Sequence, residues 1–200
     1  MNKLVLTLFL FPSVIGYGNE EDIQQIKEWY KQIEDNLDNC VKVPLTAFYD
    51  EDYVTGGSSD LEGYIDTTTN QLVKIIEHTY YDWAEDVNSY YFHEGNLFFI
   101  FSHGNYPGEM YTAEELEISE DELWQRGGEA KTINYYERRV YYKSAVCIRH
   151  QYKEKEYDVE AQPDLKLEKN DEPPLADDAT KDLFKHGSVL YRAFQVNLKK

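Results

Sequence analysis

The segment at residues 90–101, Tyr-Tyr-Phe-His-Glu-Gly-Asn-Leu-Phe-Phe-Ile-Phe, constrains the fold of this chain more than any other part of the sequence. Two apolar stretches, 90–92 and 97–101, flank Gly95 and Asn96, which are suited to a tight hairpin turn. Because neighbouring residues of a strand point to opposite faces, the second stretch is apolar on both faces. Such a strand belongs in the middle of a sheet with a packed layer on each side.

Two further segments resemble this hairpin and indicate a weak internal repeat. Residues 141–149 carry a tyrosine pair, a shorter turn and a second strand, and residues 64–76 form a looser copy around Thr69 and Asn70. Three hairpins in series predict an antiparallel β-meander of about six strands.

An N-terminal helix is predicted at residues 20–38. Asn19 is a favourable N-cap, and the three acidic residues that follow it suit the positive end of the helix dipole. One apolar stripe recurs at steps of three and four residues and contains Ile23, Ile26, Tyr30, Ile33 and Leu37. We expect this stripe to dock on the sheet, so the fold class is α+β.

Residues 153–182 have the composition of an acidic, proline-containing linker. Beyond it, residues 183–200 fit a C-terminal helix, although Gly187 disfavours a helix by about 1 kcal/mol relative to alanine and 189–194 could form a strand instead. The predicted organisation is a signal peptide at 1–18, a helix-plus-hairpin domain at 19–152, the linker, and the C-terminal helix.

A long insert at residues 103–132 separates the second and third hairpins. It opens with a predicted turn at 104–108 and contains two capping-box patterns, Thr112 with Glu115 and Ser119 with Glu122. One or two short acidic helices are therefore expected before the glycine pair at 127–128. Inserts of this length are often functional, and disorder is the alternative.

Residues 1–18 have the layout of a secretory signal peptide. Lys3 precedes an apolar run that ends at Ile15, and the small residues Gly16 and Gly18 follow. The run is shorter than the ~20 apolar residues of a spanning helix. We therefore expect a secreted or periplasmic protein with no membrane span in the mature chain.

The charge balance limits the classes of partner. The chain has 38 acidic and 20 basic residues, for a formal net charge of −18. Nucleic acids and anionic membrane surfaces are bound by clustered basic side chains. We therefore expect no nucleic-acid partner.

Export also bears on the oxidation state of the two cysteines, Cys40 and Cys147. In an oxidising compartment they predict a single disulfide, and two separate buried thiols are the alternative. If the first helix crosses the sheet, its C-terminal end could bring Cys40 to the last hairpin, where Cys147 lies.

The usual catalytic signatures are absent from the sequence. There is no G-x-S-x-G elbow, P-loop, G-x-G-x-x-G or C-x-x-C motif. His93-Glu94 begins like a zinc-protease motif, but Leu97 stands where the second histidine is needed. We therefore expect no catalytic residues, no metal site and no cofactor, and a protein that is not an enzyme.

Aromatic residues in adjacent positions are the remaining candidate site. The candidates for ligand binding are Tyr80, Tyr81, Trp83, Tyr90, Tyr91, Tyr135, Tyr136, Tyr141 and Tyr142. Each pair places one ring on each face of a strand. Outward rings could pack across strands and contribute ~0.2–1 kcal/mol per pair, or form an exposed surface for a protein or glycan.

The hairpin motif at 90–101 and its echo at 141–149 resemble small exported bacterial proteins and lipoproteins of uncharacterised function. In that group a helix precedes a meander of such hairpins, and the resemblance covers residues 60–150. It implies bacterial export and an α+β hairpin fold, and it transfers no active-site residue. The later copy departs from the motif, since Lys143, Ser144 and Ala145 replace the aromatic and glycine positions.

These observations predict an exported, non-catalytic binding or interaction module of unknown ligand. It would bind a protein or glycan through the aromatic sheet face or through the 103–132 insert. The alternative is an extracytoplasmic hydrolase acting on glycan, which needs two carboxylates facing each other across a tyrosine-lined groove.

Overall fold

A computed structural model of the chain describes residues 19–45, 58–161, 163–166, 168–173 and 178–197. The predicted signal peptide at 1–18 lies outside the described residues. None of the described helices is both long enough and apolar enough to span a membrane.

Within the described residues, seven antiparallel strands form one sheet in the order of the chain. They are β1 (Cys40–Leu45), β2 (Ser58–Asp66), β3 (Gln71–Tyr80), β4 (Glu85–His93), β5 (Asn96–Pro107), β6 (Thr132–Lys143) and β7 (Val146–Asp158). The helices are α1 (Glu20–Asp35), α2 (Glu120–Gln125) and α3 (Asp178–Asn197), and a 3₁₀ turn (Leu37–Asn39) follows α1. The predicted α+β class, the antiparallel meander and both terminal helices are confirmed.

The predicted count of six strands is too low by one. Strand β1 was missed because it is not part of a hairpin repeat and residues 46–57 separate it from β2. It is an edge strand, and Pro44 lies opposite Glu62 of β2. Proline is tolerated in a sheet mainly at an edge, where its missing N–H is not needed by a second neighbour.

Positive backbone φ angles form the tight turns of the two later hairpins. Glu94 and Gly95 have φ values of 50° and 78°, and Ser144 and Ala145 have values of 49° and 65°. Two consecutive positive φ angles match the twist of a type I′ hairpin. The later hairpin therefore turns without the glycine that the sequence motif uses at position 95.

The sheet is covered on both faces by a helix. The α1 face buries Ile23 and Ile26 of the helix against Phe98, Phe99 and other rings. The α3 face has a second cluster, in which Leu190 and Phe194 of the helix pack on the sheet. The two-sided packing expected for the apolar strand at 97–101 is therefore present, with one terminal helix on each side.

Ion pairs at the two ends of α1 show how this helix crosses the sheet. Near the N-terminus, Lys143 of β6 donates to Asp22 at 2.7 Å. Near the C-terminus, the buried Lys74 of β3 donates to Glu34 at 2.7 Å. The helix therefore runs from the β6–β7 side towards β1, and the chain enters edge strand β1 after the 3₁₀ turn.

This crossing separates the two cysteines, and the predicted disulfide is wrong. Both residues are thiols. Cys40 lies on β1 and Cys147 on β7, at opposite edges of the sheet. With ~4.8 Å between neighbouring strands, the edges are roughly 25–30 Å apart, whereas a disulfide requires Cα atoms within about 7 Å. The helix does lead to Cys40, but it leads away from the last hairpin.

We expect both cysteines to react with an alkylating agent in the denatured protein without prior reduction, because no bond joins them. Intact-mass spectrometry of the air-exposed monomer would then show two added labels. A monomer that takes up labels only after reduction would contradict this arrangement.

Secondary structure enters the predicted linker from both ends. Strand β7 continues to Asp158, and α3 begins at Asp178. Between them, Asp171 pairs with Tyr152 in an antiparallel bridge, and Lys153 donates to the carbonyl oxygen of Leu165 at 2.7 Å. The described part of this segment therefore packs along β7.

The glycine that disfavours the C-terminal helix has a packing role. A Cβ atom on Gly187 would lie 2.5 Å from Cδ1 of Tyr90 and 3.0 Å from Cδ2 of Leu97. Gly187 therefore allows α3 to approach the centre of the sheet closely.

Replacing Gly187 with alanine distinguishes the effect of helix propensity on stability from the effect of packing. Helix propensity alone predicts that Gly187→Ala stabilises the protein by about 1 kcal/mol. We expect destabilisation of ~1–3 kcal/mol instead, because overpacking displaces the Tyr90 ring or the helix. Urea unfolding measures the difference, with Arg192→Ala on the exposed side of α3 as the control. A more stable Gly187→Ala variant would refute the close approach.

Candidate functional site

The structure sorts the nine predicted binding residues into three groups by burial. Tyr90, Tyr91, Tyr141 and Tyr142 are buried, Tyr135 and Tyr136 are half-buried, and Tyr80, Tyr81 and Trp83 are exposed. The nine residues therefore do not form one surface.

The Tyr90-Tyr91 pair holds one helix on each face of the sheet. Tyr90 donates to Glu77 at 3.0 Å, and Nε2 of His186 on α3 lies 2.9 Å and 3.0 Å from the two Glu77 oxygens. Tyr91 donates to Glu34 of α1 at 2.8 Å. Burial is the main reason that the pKa of Tyr91 is raised. Neither ring of this pair therefore lies on an exposed surface.

The Tyr141-Tyr142 pair is arranged in the same way. Tyr142 donates to the carbonyl oxygen of Thr180 in α3 at 2.6 Å, and the ring of Tyr141 belongs to the cluster under α1. Both faces of β6 are covered here, so neither ring is presented to solvent.

Tyr136 belongs to a hydrogen-bonded group on the sheet surface. Its hydroxyl donates to Asp86 at 2.6 Å, and its ring stacks on Tyr152 with centroids 6.0 Å apart. The hydroxyls of Tyr152 and Tyr106 both donate to Glu154. The bond between Tyr106 and Glu154 is the main reason that the pKa of Tyr106 is raised to about 12. Tyr135 packs edge-on against the ring of Tyr157. These contacts favour a structural role for Tyr135 and Tyr136.

The exposed aromatic residues lie at one end of the sheet, where the β3–β4 turn meets the insert. We call this surface the aromatic tip and define it as Tyr80, Tyr81, Trp83, Met110 and Trp124. All five side chains are exposed, and Trp124 is 86% exposed. Met110 and Trp124 lie within the predicted 103–132 insert, but they were not named as candidates because neither belongs to an aromatic pair.

The insert is held in one conformation by backbone pairing and caps. Strand β5 continues to Pro107, so the turn predicted at 104–108 is absent and the insert begins at residue 108. Met110 and Ala130 form an antiparallel bridge that closes its base. The Ser119 hydroxyl accepts a hydrogen bond from the N–H of Glu122 at 3.1 Å and caps α2 as predicted. The Thr112–Glu115 box forms its bonds around a turn and not a helix.

Two glycines after α2 allow close contacts at the tip, one with the β3–β4 turn and one within the insert. Gly127 and Gly128 have positive φ angles of 77° and 92°. A Cβ atom at Gly127 would lie 2.6 Å from the Trp83 ring, and one at Gly128 would lie 2.8 Å from Cε of Met110. Gly127, part of the predicted helix stop, therefore also lets the insert pack against Trp83 of the β3–β4 turn.

The surroundings of the aromatic tip are acidic. Residues 108–131 contain eight carboxylates and two basic residues, for a net charge of −6. Burial raises the pKa of Tyr81, and the carboxylates of Asp86 and Glu77 raise it further. The tip therefore presents apolar rings in a negative field. Within the described residues, no three His, Cys, Asp or Glu side chains are grouped so that they could hold a metal ion.

Comparison of the chain with protein families, with curated proteins and with solved structures finds no match. The case for a function therefore depends on the contacts and charges of the tip.

One ion pair fixes the base of the insert. Lys131 donates to Glu115 at 2.6 Å, and the N–H of Thr112 donates to the other carboxylate oxygen at 2.9 Å. The hydrogen bond from Lys131 is the largest of the effects that lower the pKa of Glu115 to about 2.

The pKa of Glu115 in the folded protein lies below its usual value of 4.5. The bonds that the Glu115 carboxylate accepts therefore stabilise the insert fully above pH 4.5, and this stabilisation is lost as the pH falls towards 2. We expect Glu115 to titrate near pH 2 in a side-chain NMR titration, and Lys131→Met to move the midpoint towards 4.5. Arg126→Met removes the same charge from the Glu122 ion pair and should leave Glu115 unchanged. A midpoint near 4.5 in the unaltered protein would exclude this contact.

Proposed function

We propose that this protein is an exported, non-catalytic interaction module that binds a protein partner through the aromatic tip. The observation that carries the proposal is the position of Trp83 and Trp124. Both indole rings are exposed at the same end of the sheet, whereas the paired tyrosines of the central strands are buried.

The composition of the tip supports a protein partner. Tryptophan, tyrosine and methionine are enriched in the centres of protein interfaces, and tryptophan is enriched among the residues that contribute most to affinity. Rings on an ordered scaffold lose little conformational freedom on binding. Bridge pairing and capping order the insert before any partner arrives.

The charge around the tip indicates what the partner surface carries. Carboxylates on the insert and in the β3–β4 turn would repel an acidic surface and attract a basic one. We therefore propose a partner with apolar side chains surrounded by lysine or arginine. Its binding should weaken as salt screens these charges. The alternative, a glycan-acting hydrolase, stays a prediction.

Substitution of Trp124 tests the proposal most directly. Trp124→Ser removes a ring that is almost wholly exposed, so the melting temperature should hardly change. If the tip is the interface, a central tryptophan contributes about 2 kcal/mol or more, and partner affinity should fall by roughly 30-fold or more. The partner is first captured from the envelope fraction with unaltered protein, and its affinity for each variant is then measured by surface plasmon resonance.

Val146→Ser is the matched control, because Val146 is an exposed apolar residue at the start of β7, beside the β6–β7 turn at the other end of the sheet. It should bind the captured partner as the unaltered protein does. Full affinity in a Trp83→Ser/Trp124→Ser double variant would show that the partner binds elsewhere.

A further inference from the structure

A cavity of about 280 Å³ lies between α1 and the sheet, on the face opposite α3. Helix α1 contributes Ile26, Lys27 and Tyr30 to its wall. Strands β5 and β6 contribute Phe99, Phe101, Arg139 and Tyr141. The volume is near the lower end of the range for small-molecule sites, so it suits a ligand of one or two rings.

Arg139 gives this apolar cavity a positive charge. Its guanidinium lies over the ring of Phe101, 5.2 Å from the centroid. It donates to Glu137 at 2.7 Å and to Asn170 at 3.4 Å. A guanidinium has five N–H donors, and the described residues engage two of them.

The nearby carboxylate does not cancel the positive charge. Glu137 also pairs with the buried Lys153 at 3.0 Å. Two cations therefore share one carboxylate, which leaves about one net positive charge beside the cavity. Lys27, an exposed residue in the wall, adds a second. This local excess of positive charge contrasts with the formal net charge of the whole chain, which is −18.

Two phenol groups surround the same space. Burial raises the pKa of Tyr30 and of Tyr141, and in both cases the positive charge of Arg139 acts in the opposite direction. The guanidinium is therefore close enough to influence both hydroxyls. The carboxylate of Glu34, which acts on Tyr30, is itself paired with Lys74 at 2.7 Å.

We propose that the cavity between α1 and the sheet binds a small aromatic carboxylate, with the ring among the aromatic walls and the carboxylate on Arg139. A planar guanidinium matches a carboxylate, and its charge-assisted hydrogen bonds are stronger than neutral ones. Because the charge of Lys27 is exposed to solvent and screened, the one net positive charge at Arg139 balances a monoanion better than a dianion such as a phosphate ester. This site is separate from the aromatic tip and does not depend on the proposed interaction function.

The first test compares charged and neutral ligands on the unaltered protein. The probes are phenylacetate and indole-3-acetate, and the controls are their amides, which keep the ring and lose the charge. A charge-assisted hydrogen bond contributes ~1.5–3 kcal/mol, so titration calorimetry should show the acids binding roughly 10- to 100-fold more tightly than the amides. Equal affinities for acid and amide, or no saturable binding of either acid at about 10 mM, would overturn the proposal.

The second test changes the cation. Arg139→Gln should weaken binding of the acids by about 10-fold or more and should leave the amides unchanged. The fold should tolerate it, since Glu137 keeps its ion pair with Lys153. Lys155→Gln is the matched control, because it removes the same charge from an exposed pair with Glu168. Unaltered acid binding in Arg139→Gln, or an equal loss in Lys155→Gln, would refute a specific role for Arg139.

Discussion

The fold depends on the burial of the central strands on both faces. Tyr90 and Tyr142 lie under α3, and Tyr91 and Tyr141 lie under α1. A large apolar side chain gains ~1.5–3 kcal/mol when it is fully buried. A buried hydroxyl without a partner would cost about 1–3 kcal/mol, and for that reason the hydroxyls of Tyr90, Tyr91 and Tyr142 donate to Glu77, Glu34 and Thr180. These bonds fix the position of each helix on its face.

The position of the helices determines which part of the sheet remains accessible. Strand β5 runs to Pro107, but its residues in the two apolar clusters end at Phe101. Beyond that point the sheet carries the Tyr106 and Tyr136 hydrogen bonds. Its end carries Trp83 in the β3–β4 turn and Trp124 in the acidic insert. The proposed partner surface therefore lies where the helices do not reach, and the small-ligand cavity lies beside α1.

Part of the candidate site could be predicted from the sequence. The insert and the exposed group Tyr80, Tyr81 and Trp83 were identified from turn residues and aromatic pairing. The burial of the central tyrosines was not predicted from their pairing, which leaves open whether an outward ring is covered. The apolar run at 97–101 already required two covered faces, and Tyr90 and Tyr91 lie on the strand paired with it. Arg139 could not be found, since its role depends on residues from α1 and on two neighbouring strands.

The sequence by itself determined the features that arise from short-range interactions. These include the Asn19 cap of α1, its apolar stripe, the hairpin turns, and the Ser119 cap with the glycine stop after α2. Only the tertiary structure decided the rest: that Cys40 and Cys147 lie at opposite edges, and that Gly187 lets α3 pack against Tyr90. Caps and turns form between residues a few positions apart, so local sequence specifies them. The direction in which a helix crosses a sheet depends on contacts such as Glu34 with Lys74, which exist only after distant segments have packed together.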